Sequence, residues 1–396
     1  MSDIPLARRG AAAPAFLSFA FRPFFFCGAL FAALAVPAWA LVFTGRLAGG
    51  FADPLRWHAH EMIFGYLGAI IAGFLLTAIP NWTGRLPVSG WRLATLLALW
   101  LIGRVAILLQ AVGALGAAPA AVLELLYWAA LVFAAAREIV AGNNRRNLPV
   151  VALVAAFGIA DLVSFLPDWT AVDPLLGARL ALAVAAALIS LIGGRIVPSF
   201  TRNWLLKRQS AALPAAFGAL DKAAVAATTA AMLLWAFAPE LTVTGGLLLL
   251  AALAQLVRIA RWQGLRTFRE PLVAILHLGY AWLVLALFAL ATAALAPDRI
   301  APSAALHALT AGAIGTMTLA VMTRATLGHT GRALAADAGT AIIYLLVTAG
   351  AVLRVAAPWL PTDYAGTAAL AGAVWSAAFL VFAVKYGPYL LRRRAS

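Results

Sequence analysis

Twelve long apolar runs constrain the fold of this chain more than any other feature. A helix rises 1.5 Å per residue, so about 20 apolar residues cross the hydrocarbon core of a bilayer. The runs predict spans at 24–44, 59–80, 92–112, 118–138, 148–166, 175–197, 214–237, 241–260, 271–295, 303–325, 338–357 and 366–386. Because 64% of the residues are hydrophobic and 11% are charged, a soluble fold would expose too much apolar surface. The sequence therefore predicts an all-α, polytopic integral membrane protein with one transmembrane domain, 1–396.

The excess of basic residues, a net charge of +15, indicates the orientation of the chain. The N-terminal side and every second connection hold 23 of the 29 Lys and Arg residues. Because basic residues favour the cytoplasmic side, both termini are predicted to be cytoplasmic, and an even number of spans agrees. The first run is of full length and follows Arg8, Arg9 and Arg22, so it is interpreted as a retained span. The charges form no soluble basic patch, so no nucleic-acid partner is predicted.

Three segments resemble one another, namely 68–85, 187–204 and 312–330. Each is a glycine-bearing apolar stretch that ends in polar residues, and each is the second helix of a block of four. The repetition predicts three four-helix units in a pseudo-threefold arrangement. The alternative is that small-residue helices ending in Arg are simply common at the cytoplasmic membrane face.

Five histidines stand out because ionisable residues inside spans cost a few kcal/mol or more and usually serve a function. The predicted topology places His58, His60 and His307 at the outer side and His277 and His329 at the inner side. The only cysteine is Cys27, so any metal must be held by other side chains or by the backbone.

The outer histidines form a pattern that suits haem. Iron held between two histidines needs ligands at equal depth on separate apolar helices, with small residues around the ring. His58, His60 and His307 are the candidate ligands, and a small-residue face that includes Gly65 and Gly68 lies behind His58. Such a face lets either a helix or a flat cofactor approach closely.

Arginines at the same outer level are candidate partners of haem propionates. They are Arg46, Arg56 and Arg299, and Arg56 directly precedes the histidine motif. The alternative is that these arginines are ordinary interfacial anchors.

The inner histidines form a candidate copper site. His277 and His329 lie in the half of the chain that also carries Met322, and imidazole with thioether suits copper. Glu61, next to His60, is a further candidate metal ligand. Methionine in an apolar helix is more often a packing residue than a ligand.

Four more ionisable residues interrupt apolar runs, namely Arg104, Glu124, Asp161 and Arg354. They are interpreted as internal ion pairs or as a proton path. The sequence does not say which residue pairs with which.

Several motifs resemble the NnrS family over essentially the whole chain. They are FRPFF at 21–25, WHAHEM at 57–62, GFLLTAIPNWTG at 73–84, GRIVP at 194–198 and the stretch 307–332. The resemblance implies a bacterial inner-membrane protein that binds haem, here taken as haem b, and copper. It also implies a role in relieving nitric oxide stress during denitrification.

The predicted architecture is also similar to the catalytic subunit of haem-copper oxidases, including nitric oxide reductases. The sixth and seventh spans carry no histidine, so the usual three-histidine copper site is not predicted. No catalytic residue can therefore be assigned from this likeness.

The leading hypothesis is a membrane haem protein that binds or converts nitric oxide, acting as an oxidoreductase if it turns over. Expected partners are nitric oxide and the lipid bilayer, while a respiratory partner and a homo-oligomer stay open. One alternative is a twelve-span transporter or efflux protein. Another is an assembly or sensor partner of a respiratory complex. The chain contains no phosphate loop, HExxH zinc pair or GxSxG nucleophile elbow.

Overall fold

Twelve helices in the part of the chain that the structure describes are long and apolar enough to cross a membrane, which confirms the predicted number. The structure is a computed structural model and describes residues 14–47 and 50–393. Regular structure in these residues is entirely helical. The helices are α1 (Phe21–Phe43), α2 (Pro54–Thr83), α3 (Trp91–Ala111), α4 (Ala117–Ala141), α5 (Arg145–Asp168), α6 (Leu176–Lys207), α7 (Ala219–Phe237), α8 (Thr242–Ala260), α9 (Pro271–Leu295), α10 (Pro302–His329), α11 (Ala338–Trp359) and α12 (Tyr364–Leu391).

Two helices continue well past their predicted ends. The prediction ended the sixth span at 197, but α6 runs to Lys207 and contains Pro198 in its interior. Likewise α12 runs to Leu391 with Pro388 inside the helix. Proline removes one backbone hydrogen bond, but neighbouring groups in a bundle can compensate for the loss. Apolarity therefore predicted the membrane-crossing part of these helices, but not their polar ends.

The seventh span begins later than predicted. Its helix starts at Ala219 rather than near 214, because Gly218 is the N-cap residue. The Gly218 amide donates a 2.9 Å hydrogen bond to Asp221 Oδ2, which satisfies a backbone donor at the helix start.

The helices group into two compact units. Unit 1 comprises Met1–Ala178, Ala325–Ala333 and Phe382–Ser396. Within it, α1 packs against α2, α3 against α4, and α4 against α5. Arg22 of the FRPFF motif is buried here and donates to the carbonyls of Tyr389 and Leu390 at 3.1 and 3.0 Å. A cation at the end of a helix satisfies carbonyls that have no partner within that helix. Arg22 therefore stabilises the C-terminal end of α12.

Unit 2 comprises Arg179–Arg324 and Leu334–Val381. Within it α7 packs against α8, and α8 packs against α9. The middle of α10 contacts both α9 and α11. Small residues permit the close packing of α11 and α12, since a Cβ on Gly350 would lie 2.7 Å from the backbone nitrogen of Trp375.

Three of the twelve helices contain a π-helical segment, in which hydrogen bonds run from residue i to i+5. These segments are Glu61–Leu67 in α2, Ile189–Gly193 in α6 and Ala308–Ile314 in α10. They fall in the second helix of each block of four, and regular α-helix resumes at a glycine every time, at Gly68, Gly194 and Gly315. The three π segments are a structural similarity among these helices that the sequence did not predict, and the pseudo-threefold arrangement stays a prediction.

A side chain from a neighbouring helix donates to a backbone carbonyl of each π segment. Trp100 Nε1 donates to Gly65 at 2.9 Å, Arg258 Nη1 to Ser190 at 2.8 Å, and Trp375 Nε1 to Ala311 at 3.2 Å. Because a buried carbonyl needs a donor, these bonds stabilise the irregular segments. Segments of this kind recur at functional sites, so the residues beside them are candidates for a functional site.

Candidate functional site

The candidate site lies where the π segment of α2 begins. A short α-helical turn, Pro54–His60, leads into this segment. Asp53 caps the turn by accepting a 2.9 Å hydrogen bond from the Arg56 amide, and a proline at the first position suits a helix start. The WHAHEM motif therefore straddles a change of helix type, and His60 is the last residue before it.

His60 is buried and lies between two carboxylates. Its Nε2 lies 2.9 Å from Asp161 Oδ1, and its Nδ1 lies 3.4 Å from Glu61 Oε1. The second oxygen of Asp161 accepts a 2.6 Å hydrogen bond from Trp128 Nε1. Because a histidine held by a carboxylate has a fixed ring orientation, the position of His60 is set by α5 and α4 rather than by its own helix alone.

Arg104 of α3 contacts Glu61 and adds one further carboxylate, Glu124, to this group. Its Nη1 donates to Glu61 Oε1 at 2.6 Å, and its Nη2 donates to Glu124 Oε1. Arg104 is 6% exposed and Glu124 is fully buried. We call His60, Glu61, Arg104, Glu124 and Asp161 the buried ionic cluster.

The buried ionic cluster contains a possible ligand set for a metal ion. Among the described residues, His60, Glu124 and Asp161 form the one group of at least three His, Cys, Asp or Glu side chains whose ligand atoms lie within 4.8 Å of one another. The sequence predicted that these residues lie in membrane spans, but it did not predict that they lie close to one another. Glu61, the predicted metal ligand, is outside this group and contacts Arg104 instead.

His58 and Arg56 occupy the same short turn but have other neighbours. The His58 ring stacks on Trp39, with 4.3 Å between ring centroids. Arg56 forms a two-pronged ion pair with Asp168, both contacts at 2.7 Å, and also donates to the Ser164 carbonyl. A haem propionate would therefore have to compete with the Asp168 carboxylate for the Arg56 guanidinium.

The small-residue face of α2 packs against protein side chains. A Cβ on Gly68 would lie 3.1 Å from the Trp128 ring, and a Cβ on Gly65 would lie 3.0 Å from Phe31. The sequence allowed either a helix or a flat cofactor against this face. At Gly65 and Gly68 the structure shows side chains of neighbouring helices.

His307 occupies in α10 the position that His60 occupies in α2. It ends the short α-helical turn Pro302–His307 and directly precedes a π segment. Its Nδ1 lies 2.6 Å from the Ser303 carbonyl oxygen. Because a carbonyl only accepts hydrogen bonds, Nδ1 carries the proton and Nε2 carries the lone pair that a metal needs.

His277 in α9 also has a defined tautomer. Its Nε2 lies 2.8 Å from the Thr201 hydroxyl, which already donates to the Val197 carbonyl at 2.9 Å. The hydroxyl must therefore accept from Nε2, and Nδ1 keeps its lone pair. This Nδ1 is buried without a hydrogen-bond partner, and Gly264 packs closely against the ring, since a Cβ there would lie 2.6 Å from Nδ1.

The other members of the predicted inner site have apolar surroundings. The exposed ring of His329 lies 5.4 Å from Phe21 and 6.4 Å from Phe19 between centroids. Met322 is completely buried. The contacts described for His277 are with Thr201, Gly264 and Trp262, so the assembly of these residues into one copper site stays a proposal.

A second buried polar network lies in unit 2, and the sequence analysis missed it. Arg258, which is fully buried, donates to Asp221 at 2.7 Å and to the Tyr280 hydroxyl at 2.9 Å. The same arginine donates a hydrogen bond to the Ser190 carbonyl in the π segment of α6. Arg258 was counted among the basic residues of the predicted cytoplasmic connections. The signal in the sequence was its position on the same helix face as Leu248, Ala251 and Gln255, which are buried with it.

Arg354, by contrast, has no carboxylate among its described hydrogen-bond partners. Its Nη2 donates to the Tyr364 hydroxyl at 3.1 Å. The interpretation of Arg354 as one half of an internal ion pair is therefore wrong for the described residues, whereas it is confirmed for Arg104 with Glu124.

Fold and site together define an all-helical, multi-pass membrane protein with a buried ionic cluster and histidines beside π segments. A family model described as NnrS protein matches residues 15–394. The chain therefore belongs to the NnrS family, as its motifs predicted. This membership fits a membrane protein related to nitric oxide stress, and the family is associated with metal and haem binding. No curated protein matches the chain.

Proposed function

We propose that this protein is a membrane haem protein that binds nitric oxide or converts it, and thereby protects the cell during denitrification. The observation that carries the proposal is the hydrogen bond from His307 Nδ1 to the Ser303 carbonyl. Histidines that ligate metals usually donate their second nitrogen to a backbone carbonyl or carboxylate in this way. Family membership agrees with haem as the metal group.

His58 is the proposed second ligand of haem b, in preference to His60. Both nitrogens of His60 face carboxylates, at 2.9 and 3.4 Å, so iron ligation by His60 would disrupt a buried ion pair. His58 stacks on Trp39, which fixes the plane of its ring. The two histidines are proposed as a pair because the sequence predicts both at the outer side, on separate apolar spans.

The chain's own residues would serve the haem in two ways. His307 is oriented by the Ser303 carbonyl, and Arg56 offers a cation two residues before His58 in the same short helical turn. Haem iron would supply a site at which nitric oxide, a small and apolar molecule, binds in place of one of the two histidines. Apolar side chains around the ring would exclude water and favour entry of nitric oxide from the lipid.

Copper is the second proposed cofactor, and His277 is its best supported ligand. The Nδ1 lone pair is buried and has no hydrogen-bond partner. A neutral imidazole nitrogen of this kind suits copper, and thioether sulfur from Met322 would add a soft donor. His329 and Glu61 remain the further candidates.

Nitric oxide added to the reduced, purified protein is expected to shift the haem absorption spectrum, because the gas binds ferrous iron. An anaerobic titration followed by absorption spectroscopy measures this shift, and His329→Ala protein is the control that should respond as the wild type does. A haem spectrum that does not change at saturating nitric oxide would contradict the proposed function.

A further inference from the structure

The charges of the buried ionic cluster do not balance. Glu61, Glu124 and Asp161 are 1%, 0% and 0% exposed, and Arg104 supplies the one guanidinium among the described residues that forms an ion pair with them. Three carboxylates against one guanidinium leave two negative charges when His60 is neutral. An uncompensated buried charge costs several kcal/mol, so the cluster needs further positive charge.

The geometry gives a place for that charge. Ligand atoms of His60, Glu124 and Asp161 lie within 4.8 Å of one another. Glu124 Oε2 is buried and has no hydrogen-bond partner, which is rare for a carboxylate oxygen inside a protein. This oxygen occupies space that exists because residue 103 is glycine, since a Cβ on Gly103 would overlap with it.

We infer that His60, Glu124 and Asp161 bind a divalent first-row transition-metal ion, at a site separate from the haem and from the proposed copper site. One imidazole nitrogen with two carboxylates is a donor set that suits iron(II), manganese(II) or zinc(II) better than copper(I). A dication cancels both surplus negative charges. The ion takes the Nε2 lone pair of neutral His60, whose proton then lies on Nδ1 beside Glu61, so the charges cancel without the release of a proton.

The residues around these ligands form the support that a metal site needs. Trp128 holds the second oxygen of Asp161 at 2.6 Å, and Arg104 holds both Glu124 and Glu61. Such outer contacts orient metal ligands, and their loss typically lowers metal affinity by about 10- to 100-fold. The inference does not rest on the proposed haem function, because none of its ligands is a proposed haem ligand.

The test measures metal and haem together in protein purified from cells supplied with iron, manganese and zinc. Mass spectrometry of the metals, with haem iron subtracted and copper counted separately, is expected to find about one ion of iron, manganese or zinc per chain in the wild type. Asp161→Asn and Glu124→Gln should each lower that content about tenfold or more, while haem measured on the same samples stays unchanged. The matched control is Asp221→Asn, which removes a buried carboxylate that pairs with Arg258 and should keep the ion.

Two results would overturn the inference. One is wild-type protein with haem but without stoichiometric non-haem metal, in which infrared spectroscopy finds a protonated carboxylic acid that Glu124→Gln removes. The other is metal content that Asp161→Asn leaves unaltered. If the variants fail to fold, X-ray absorption at the metal edge decides on wild-type protein. One imidazole with oxygen ligands is expected, and sulfur ligands or several imidazoles would contradict the site. Loss of haem with metal retained would instead contradict only the proposed function.

Discussion

Arg104→Gln is expected to destabilise the protein by roughly 3–5 kcal/mol, the usual effect of removing one partner of a buried ion pair. The substitution leaves Glu61 and Glu124 buried without their cation, although Arg104 bonds both in the native structure. Glutamine can replace one hydrogen bond but not the charge. The rate of unfolding in detergent, followed by tryptophan fluorescence or by protease digestion, measures the change.

Arg354→Gln is the matched control for this prediction. Arg354 is also a buried arginine of a membrane-spanning helix, but its described partner is the neutral Tyr364 hydroxyl, so a smaller loss is expected. Arg104→Gln combined with Glu124→Gln should recover part of the stability, because the double variant removes one of the carboxylates left without a cation. Equal effects of the two arginine substitutions would contradict the assignment of Arg104 to an ionic cluster.

His307→Ala is expected to reduce bound haem from about one per chain to a small fraction, since it removes an iron ligand outright. His58→Ala should lower haem binding as well. His60→Gln should retain haem, because His60 is held by Asp161 and Glu61 rather than by iron. Haem content per chain, measured by absorption after detergent purification, distinguishes these variants.

The control for haem loss is His329→Ala. His329 is exposed and lies against Phe19 and Phe21, so its removal should not affect haem. If His307→Ala protein keeps its haem while His60→Gln protein loses it, the assignment of ligands in α2 and α10 is wrong. Size-exclusion chromatography shows whether each variant remains folded and monodisperse.

The sequence was sufficient for the membrane-spanning helices because a bilayer imposes their length and apolarity on the chain. It also singled out His58, His60 and His307, since ionisable residues are costly in hydrocarbon. It did not predict the π segments, because one extra residue in a helical turn leaves the apolar pattern almost unchanged. The feature of the sequence that marks these segments is the glycine that follows each one, Gly68, Gly194 or Gly315, where regular α-helix resumes.

The partners inside the site could not be predicted for a different reason. Asp161 and His60 are 101 residues apart in the chain, so their contact depends on how α5 packs against its neighbours. Likewise, the tautomer of His277 depends on Thr201, which lies on another helix. Apolar periodicity sets which helices form, whereas tertiary packing sets which polar groups meet.

Haem content of the wild-type protein tests most directly whether this membrane protein carries haem. The protein is purified in mild detergent from haem-supplied cells, and its haem is extracted and quantified as the pyridine complex. The expected result is about one haem b per chain, with Soret and alpha bands in the native spectrum. A folded, monodisperse preparation without colour and without extractable haem would contradict the claim.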